Sequence, residues 1–197
     1  MIPQATLELD AFGRLSGPAR AGRAVASHGA LRDALRVSKQ KTSAGLLPYR
    51  FRAGRLEVLI AHMGGPFWAT KDEGAWSIVK GACDAGEDAY AAARREFAEE
   101  TGKPPPEGEP LELGEVRQRG GKRVVAWAIH GDLDAERVVS NTFTREWPPR
   151  SGKLREFPEI DRARWLDCAT ARRKLVSAQV AFVDALELGL GERPVDG

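Results

Sequence analysis

The chain has 197 residues, 42% of them apolar and 29% charged, with a formal net charge of +2 and two cysteines. That length suits one domain with an appendage, and the composition is that of an ordinary soluble globular protein. No apolar run approaches the roughly 20 residues a membrane-spanning helix needs, and Cys83 and Cys168 fit neither a disulfide framework nor a paired-cysteine metal site.

Two buried or half-buried thiols in a reducing cytoplasmic setting are therefore expected, with no membrane partner. Residues 1–40 hold six basic side chains (Arg14, Arg20, Arg23, Arg32, Arg36, Lys39) and three acidic ones (Glu8, Asp10, Asp33), which leaves 24 basic and 25 acidic residues in 41–197. The body is near neutral, so no general nucleic-acid partner is expected.

Residues 1–40 are rich in Ala, Gly and Arg and lack a sustained apolar period. They read as a disordered or weakly ordered N-terminal extension, with Ala30 to Val37 the one short helical stretch. An Arg-rich, acid-poor start is compatible with a transit segment. The preferred expectation is a true start near Val37, and intact-mass measurement on native protein would test it. Residues 41–197 read as the folded domain.

Within it, Ser43–Phe51 and Leu56–His62 are predicted strands. A Gly-rich loop with Phe67 and Trp68 follows, and Trp76–Lys80 is a short predicted strand leading into Gly81. Asp88–Thr101 is the best helix in the chain: Ala-rich, with Glu87 and Asp88 at the positive end of its dipole and Gly102 then Pro104 as stop signals. After a loop over Lys103–Pro110, Val116 and Val124–Ile129 flank a two-glycine hairpin turn. Trp147–Gly152 is another loop, Arg164–Leu166 a strand, and Ala169–Leu188 one or two closing helices.

The chemistry is concentrated around the helix. Glu96, Glu99 and Glu100 stand at i, i+3 and i+4, so they share one face within an arc of roughly 100°. Three carboxylates on one face repel one another and call for positive charge, and hard oxygen ligands select Mg²⁺ or Mn²⁺. Ala92 lies in the same arc and is expected to leave room for metal and phosphate. Tyr90, Ala93 and Phe97 form a separate apolar stripe to pack on a sheet.

Gly81 is followed after five residues by Glu87, and seven residues later by Arg95-Glu96-Phe97-Ala98-Glu99-Glu100-Thr101-Gly102. This resembles the Nudix box, Gx5Ex7REUxEExGU with U apolar. Every fixed position is met, and Lys103 replaces the final aliphatic residue. The resemblance covers roughly residues 42–188 and implies an α/β/α sandwich with a mixed β-sheet.

It further implies that Glu96, Glu99 and Glu100 ligate the metal, and that Glu87 and Arg95 pair to brace the loop, with Gly81 giving close backbone packing. For the general base, Glu99 or Glu100 is one candidate; Glu159 or Glu156 from the later segment is the other, with Glu159 ranked above Glu156. Trp76-Ser-Ile-Val-Lys80-Gly81 is similar to the W-x-x-P-K-G entry of diadenosine polyphosphate and diphosphoinositol phosphate hydrolases, with Val79 in place of the proline. Lys80 and Lys71 are candidate phosphate contacts, and Trp76 and Trp68 candidate stacking platforms for a base. His28, His62 and His130 show no ligand spacing.

The expected activity is metal-dependent hydrolysis of a phosphoanhydride bond in a nucleoside or dinucleoside polyphosphate, a small-molecule substrate. Cleansing of oxidised nucleoside triphosphates and a non-catalytic nucleotide-binding regulator are the alternatives. A homodimer is compatible with the resemblance.

Overall fold

The computed structural model describes residues 42–191, which fall within one compact unit, Lys39–Gly197. The expectations for residues 1–40 lie outside the described residues.

The core strand β1, Thr42–Arg52, is buried continuously from Ser43 to Tyr49. Such a run does not alternate with solvent, because both faces of the strand are covered. Leu47 and Tyr49 point into one apolar cluster, and Ala44 and Leu46 into a second on the opposite face. Strand β2, Arg55–Met63, repeats the division, with Val58 and Ile60 on the first side and Leu59 and Ala61 on the second. A tight turn joins β1 to β2, with positive φ at both Ala53 and Gly54, as its twist requires.

The β1–β2 ladder covers only Tyr49–Arg52. Beyond it, the predicted strand over Trp76–Lys80 is two strands: β3, Trp76–Ser77, pairs with β2, and β4, Val79–Ala82, pairs with the first half of β1. The break falls at Ile78, whose backbone N–H leaves the sheet and donates to Gln179 Oε1 at 2.8 Å. Strand β6, Arg123–His130, lies parallel to β1 on its other edge, and β5, Leu111–Arg117, closes that side. Strand β9, Ile160–Asp167, pairs with β2. The seven strands form one mixed sheet.

Helix α1, Ala89–Thr101, covers the second cluster with Ala92, Ala93 and Phe97. Ala92 is fully buried in that packing, so it does not open space for metal and phosphate as the sequence suggested. The ends of α1 are fixed locally: the Asp88 side chain accepts from Ala91 N–H, and Gly102 adopts φ 64° while its N–H bonds to Ala98 O. Helices α2, Cys168–Lys174, and α3, Val180–Gly191, cover the other face with Ala171, Phe182, Val183 and Leu186. The result is the α/β/α sandwich with a mixed sheet.

One element goes beyond the sequence reading. Strands β7, Thr142–Glu146, and β8, Leu154–Pro158, form a separate two-stranded hairpin, largely exposed, around the Trp147–Gly152 loop. Among the described residues no helix is long and apolar enough to cross a membrane. Cys168 is buried and Cys83 half-buried.

Candidate active site

Strand β4 delivers the chain to Gly81 in register with Ala44, and the following turn delivers it to α1. The turn is closed by Glu87 N–H to Asp84 O, and by Asp84 N–H to a Glu87 carboxylate oxygen at 2.9 Å. Gly81 matters through proximity: a Cβ there would fall on the Glu96 carboxylate. The glycine is what lets β4 lie against the acidic face of α1.

Arg95 organises the turn. Its Nε and Nη2 bond both oxygens of Glu87 at 2.9 Å each, and Nη2 also donates to Ala82 O at 3.1 Å. Its Nη1 reaches Glu96 at 2.8 Å and Glu99 at 3.3 Å. The two-pronged bond from Arg95 holds the Glu87 carboxyl down at about 2, and the carboxylates in turn raise the guanidinium. This explains how a repulsive carboxylate face is tolerated. One guanidinium offsets the charge of the near members. Among the described residues no three acidic, cysteine or histidine side chains are gathered as a cation site.

Glu100 has a different environment. It is partly buried, and its Oε2 accepts the Lys80 backbone N–H at 3.1 Å. Burial pushes its carboxyl up to about 7. The Lys80 charge and N–H oppose that rise, while the nearby Glu159 and Glu96 carboxylates add to it. At this position burial outweighs the compensation that Lys80 supplies. Carboxylate oxygens are the kind of donor that a hard divalent cation takes.

Glu100, Glu159 and Lys80 line one small pocket of about 50 Å³, together with Met63, Ser77 and Ile160. Glu159 reaches it from the entry to β9, at a register shift between His62 and Met63 of β2, the kind of bulge that re-aims side chains beside a site. Glu156 stays on the exposed hairpin, bonded to Thr142. Met63 also lines a larger cavity of about 800 Å³, which has Trp68 on its wall and Arg119 and Arg173 on its margin. Lys71 holds its ammonium 4.9 Å from the centre of the Trp68 ring.

Trp76 requires a correction. It is 1% exposed, donates to Asp72, and packs edge-on against His62. It is a core residue and offers no face to a base. His62, which the sequence left without a role, is fully buried, with Nδ1 2.7 Å from Asp161 and Nε2 2.8 Å from Lys71 O. It ties the Trp68 loop to β9, the strand that follows Glu159. No motif announces it; only the fold brings residues 62, 71 and 161 together.

The NUDIX domain family model matches residues 39–186, and the chain belongs to that family. It is a hydrolase of phosphorus-containing anhydrides, in general terms a nucleotide pyrophosphohydrolase. Among solved structures it is similar to an Ap4A hydrolase from C. elegans in a binary complex, at 21% identity over 77% of this chain and 99% of that chain, with a TM-score of 0.56. It is also similar to the NUDIX domain of NrtR from Shewanella oneidensis complexed with ADP ribose, at 16% identity over 77% and 88% of the two chains and TM-score 0.53. A Nudix hydrolase from M. smegmatis, RenU, aligns at 20% identity over 80% and 90%, TM-score 0.51. At these identities the likeness speaks for the fold. Comparison with curated proteins finds no match.

Proposed function

We propose that the chain hydrolyses a phosphoanhydride bond of a nucleoside or dinucleoside polyphosphate with Mg²⁺ or Mn²⁺ bound by Glu96, Glu99 and Glu100. The observation that carries this reading is the meeting of Glu100, Glu159 and Lys80 on one pocket that shares Met63 with the larger cavity. The small pocket, with Lys80 on its lining, suits one end of a diphosphate. The cavity, with Trp68, apolar walls and an arginine margin, suits the attached nucleoside.

A divalent cation held by Glu96, Glu99 and Glu100 would offset the phosphates' negative charge and would acidify a water. Arg95 has to yield its bonds to Glu96 and Glu99 for those carboxylates to turn to the cation, while its two-pronged hold on Glu87 keeps the turn in place. Glu159, exposed at the mouth of the pocket, accepts the proton of the water as its oxygen bonds to one phosphorus. The bridging P–O bond breaks, and its electron pair leaves with the departing phosphate. The Lys80 ammonium offsets the charge gathered on that oxygen.

The test is product release from nucleoside triphosphates, oxidised nucleotides, diadenosine polyphosphates, ADP-ribose and a diphosphoinositol phosphate, with Mg²⁺, with Mn²⁺ and with chelator. Turnover should require metal and collapse in Glu99→Gln. Glu159→Gln should lower kcat by on the order of 10²-fold, and Glu156→Gln should leave it unchanged. Tight binding of one panel member without turnover of any would replace the hydrolase reading with a regulatory one.

A further inference from the structure

The loop between β2 and β3 buries little of itself. Ala69, Thr70, Lys71, Asp72 and Glu73 are all exposed, and Trp68 is half-buried where it walls the large cavity. Packing alone does not order such a segment, so the place of the Trp68 ring depends on hydrogen bonds that tie the loop to the sheet.

His62 supplies a tie that leads to Trp68. Its ring is fully buried near the end of β2. The Lys71 carbonyl can only accept, so Nε2 carries the proton of their 2.8 Å bond. The Lys71 N–H donates in turn to Trp68 O at 2.8 Å, and the Lys71 ammonium stands 4.9 Å from the centre of the Trp68 ring. The residue that His62 holds therefore meets Trp68 through both backbone and side chain. Asp72 accepts from Trp76 Nε1 at 3.0 Å and pairs with Lys174; that tie fixes the return to β3, past the Trp68 turn.

The other ring nitrogen, Nδ1, lies 2.7 Å from Asp161. On that side the chain has further anchors: Gly64 N–H donates to Glu159 O, Glu159 N–H to Asn141 O, and Ile160 N–H to Ser140 Oγ at 2.9 Å. Loss of the Nδ1 bond leaves Glu159 held. Loss of the Nε2 bond leaves the Lys71 carbonyl without its partner and frees the turn that carries Trp68.

We propose that His62 is a positioning residue for nucleoside binding: through Nε2 and the Lys71 carbonyl it holds the Trp68 ring on the cavity wall, so that breaking this bond raises KM and leaves kcat in place. This rests on the hydrolase reading above, with the nucleoside in the Trp68 cavity.

Two substitutions separate the two bonds. A glutamine amide reaches about as far as Nε2 and an asparagine amide about as far as Nδ1, so His62→Gln keeps the bond to Lys71 O and His62→Asn keeps the one to Asp161. Amide exchange over residues 64–74, without ligand, should be about tenfold faster in His62→Asn than in wild type or His62→Gln. Calorimetric titration with ATP in Ca²⁺ should weaken about tenfold in His62→Asn and stay within about twofold of wild type in His62→Gln; in Mg²⁺ the asparagine variant should raise KM by the same factor at unchanged kcat. In a Trp68→Ala background, His62→Asn should change ATP affinity by less than about twofold, because the ring it positions is gone. Thermal melts of the two variants should fall alike, since each loses one bond. In wild type the His62 Nε2 proton should exchange slowly by NMR, a readout that needs no variant.

Equal effects of the two substitutions on exchange or on ATP affinity, full additivity with Trp68→Ala, or a fast-exchanging ring proton overturns the proposal. ATP binding that splits between the variants as stated, without turnover, removes the hydrolase reading and supports the positioning role. Failure of wild type to bind ATP overturns the positioning role, and turnover of another nucleotide by the same protein would then keep the hydrolase reading.

Discussion

Glu100→Gln isolates the electrostatic cost of the catalytic face. In the folded, metal-free chain the Glu100 carboxyl titrates at about 7, against an ordinary value of 4.5. Below pH 4.5 it is neutral in both folded and unfolded states and contributes nothing to pH dependence. Between 4.5 and about 7 the folded chain retains a proton that the unfolded chain has released, so stability falls as pH rises; above about 7 the loss is complete. The shift of about 2.5 units corresponds to about 3 kcal/mol.

Urea unfolding in chelator from pH 4.5 to 8 should show wild type losing that amount relative to Glu100→Gln. The amide keeps the form and the acceptor oxygen for Lys80 N–H, but it cannot ionise. Glu87 titrates at about 2, outside this window, and is common to both proteins. Saturating Mg²⁺ should remove the wild-type deficit, because the bound cation favours the ionised carboxylate. Parallel stability curves for the two proteins across this range would refute the claim that burial of Glu100 outweighs the compensation from Lys80.

Gly81→Ala should leave the melting temperature within a few degrees, since the colliding group is the end of a flexible side chain, and should cut metal affinity and kcat by on the order of 10–100-fold by displacing Glu96; calorimetric Mn²⁺ titration beside a melt separates the two effects. Phe97→Ala removes the largest side chain that α1 places in its core cluster, and chemical unfolding should register a loss of about 3–5 kcal/mol.

What the sequence made legible was local. The α1 boundaries and the shared face of the acidic residues follow from spacings of a few positions, and the Glu87–Arg95 bracket from the resemblance those spacings carry. The break at Ile78 depends on Gln179, a hundred residues on, and no pattern around Trp76 reveals it. Burial was equally hard to read: Trp68 and Trp76 stand on one loop and its following strand, and only the packing of His62 and Asp72 decides that Trp76 is core. Ala92 was read as an open position because its angle around α1 matches that of Glu96. Alanine is small enough for the sheet to close over it. The β7–β8 hairpin escaped because its strands bury little and so carry no apolar alternation.

The parallel pairing of β1 with β6 has a consequence for synthesis. Thr42 lies opposite Arg123, so the innermost strand waits for a partner 81 positions later in the chain. At 5–20 residues per second that delay is roughly 4–16 s. Throughout it, a segment meant to be covered on both faces is outside the ribosome with one edge unmatched. The newborn chain is therefore at its stickiest around Ser43–Tyr49, and that stretch is where a holding chaperone would gain most by binding.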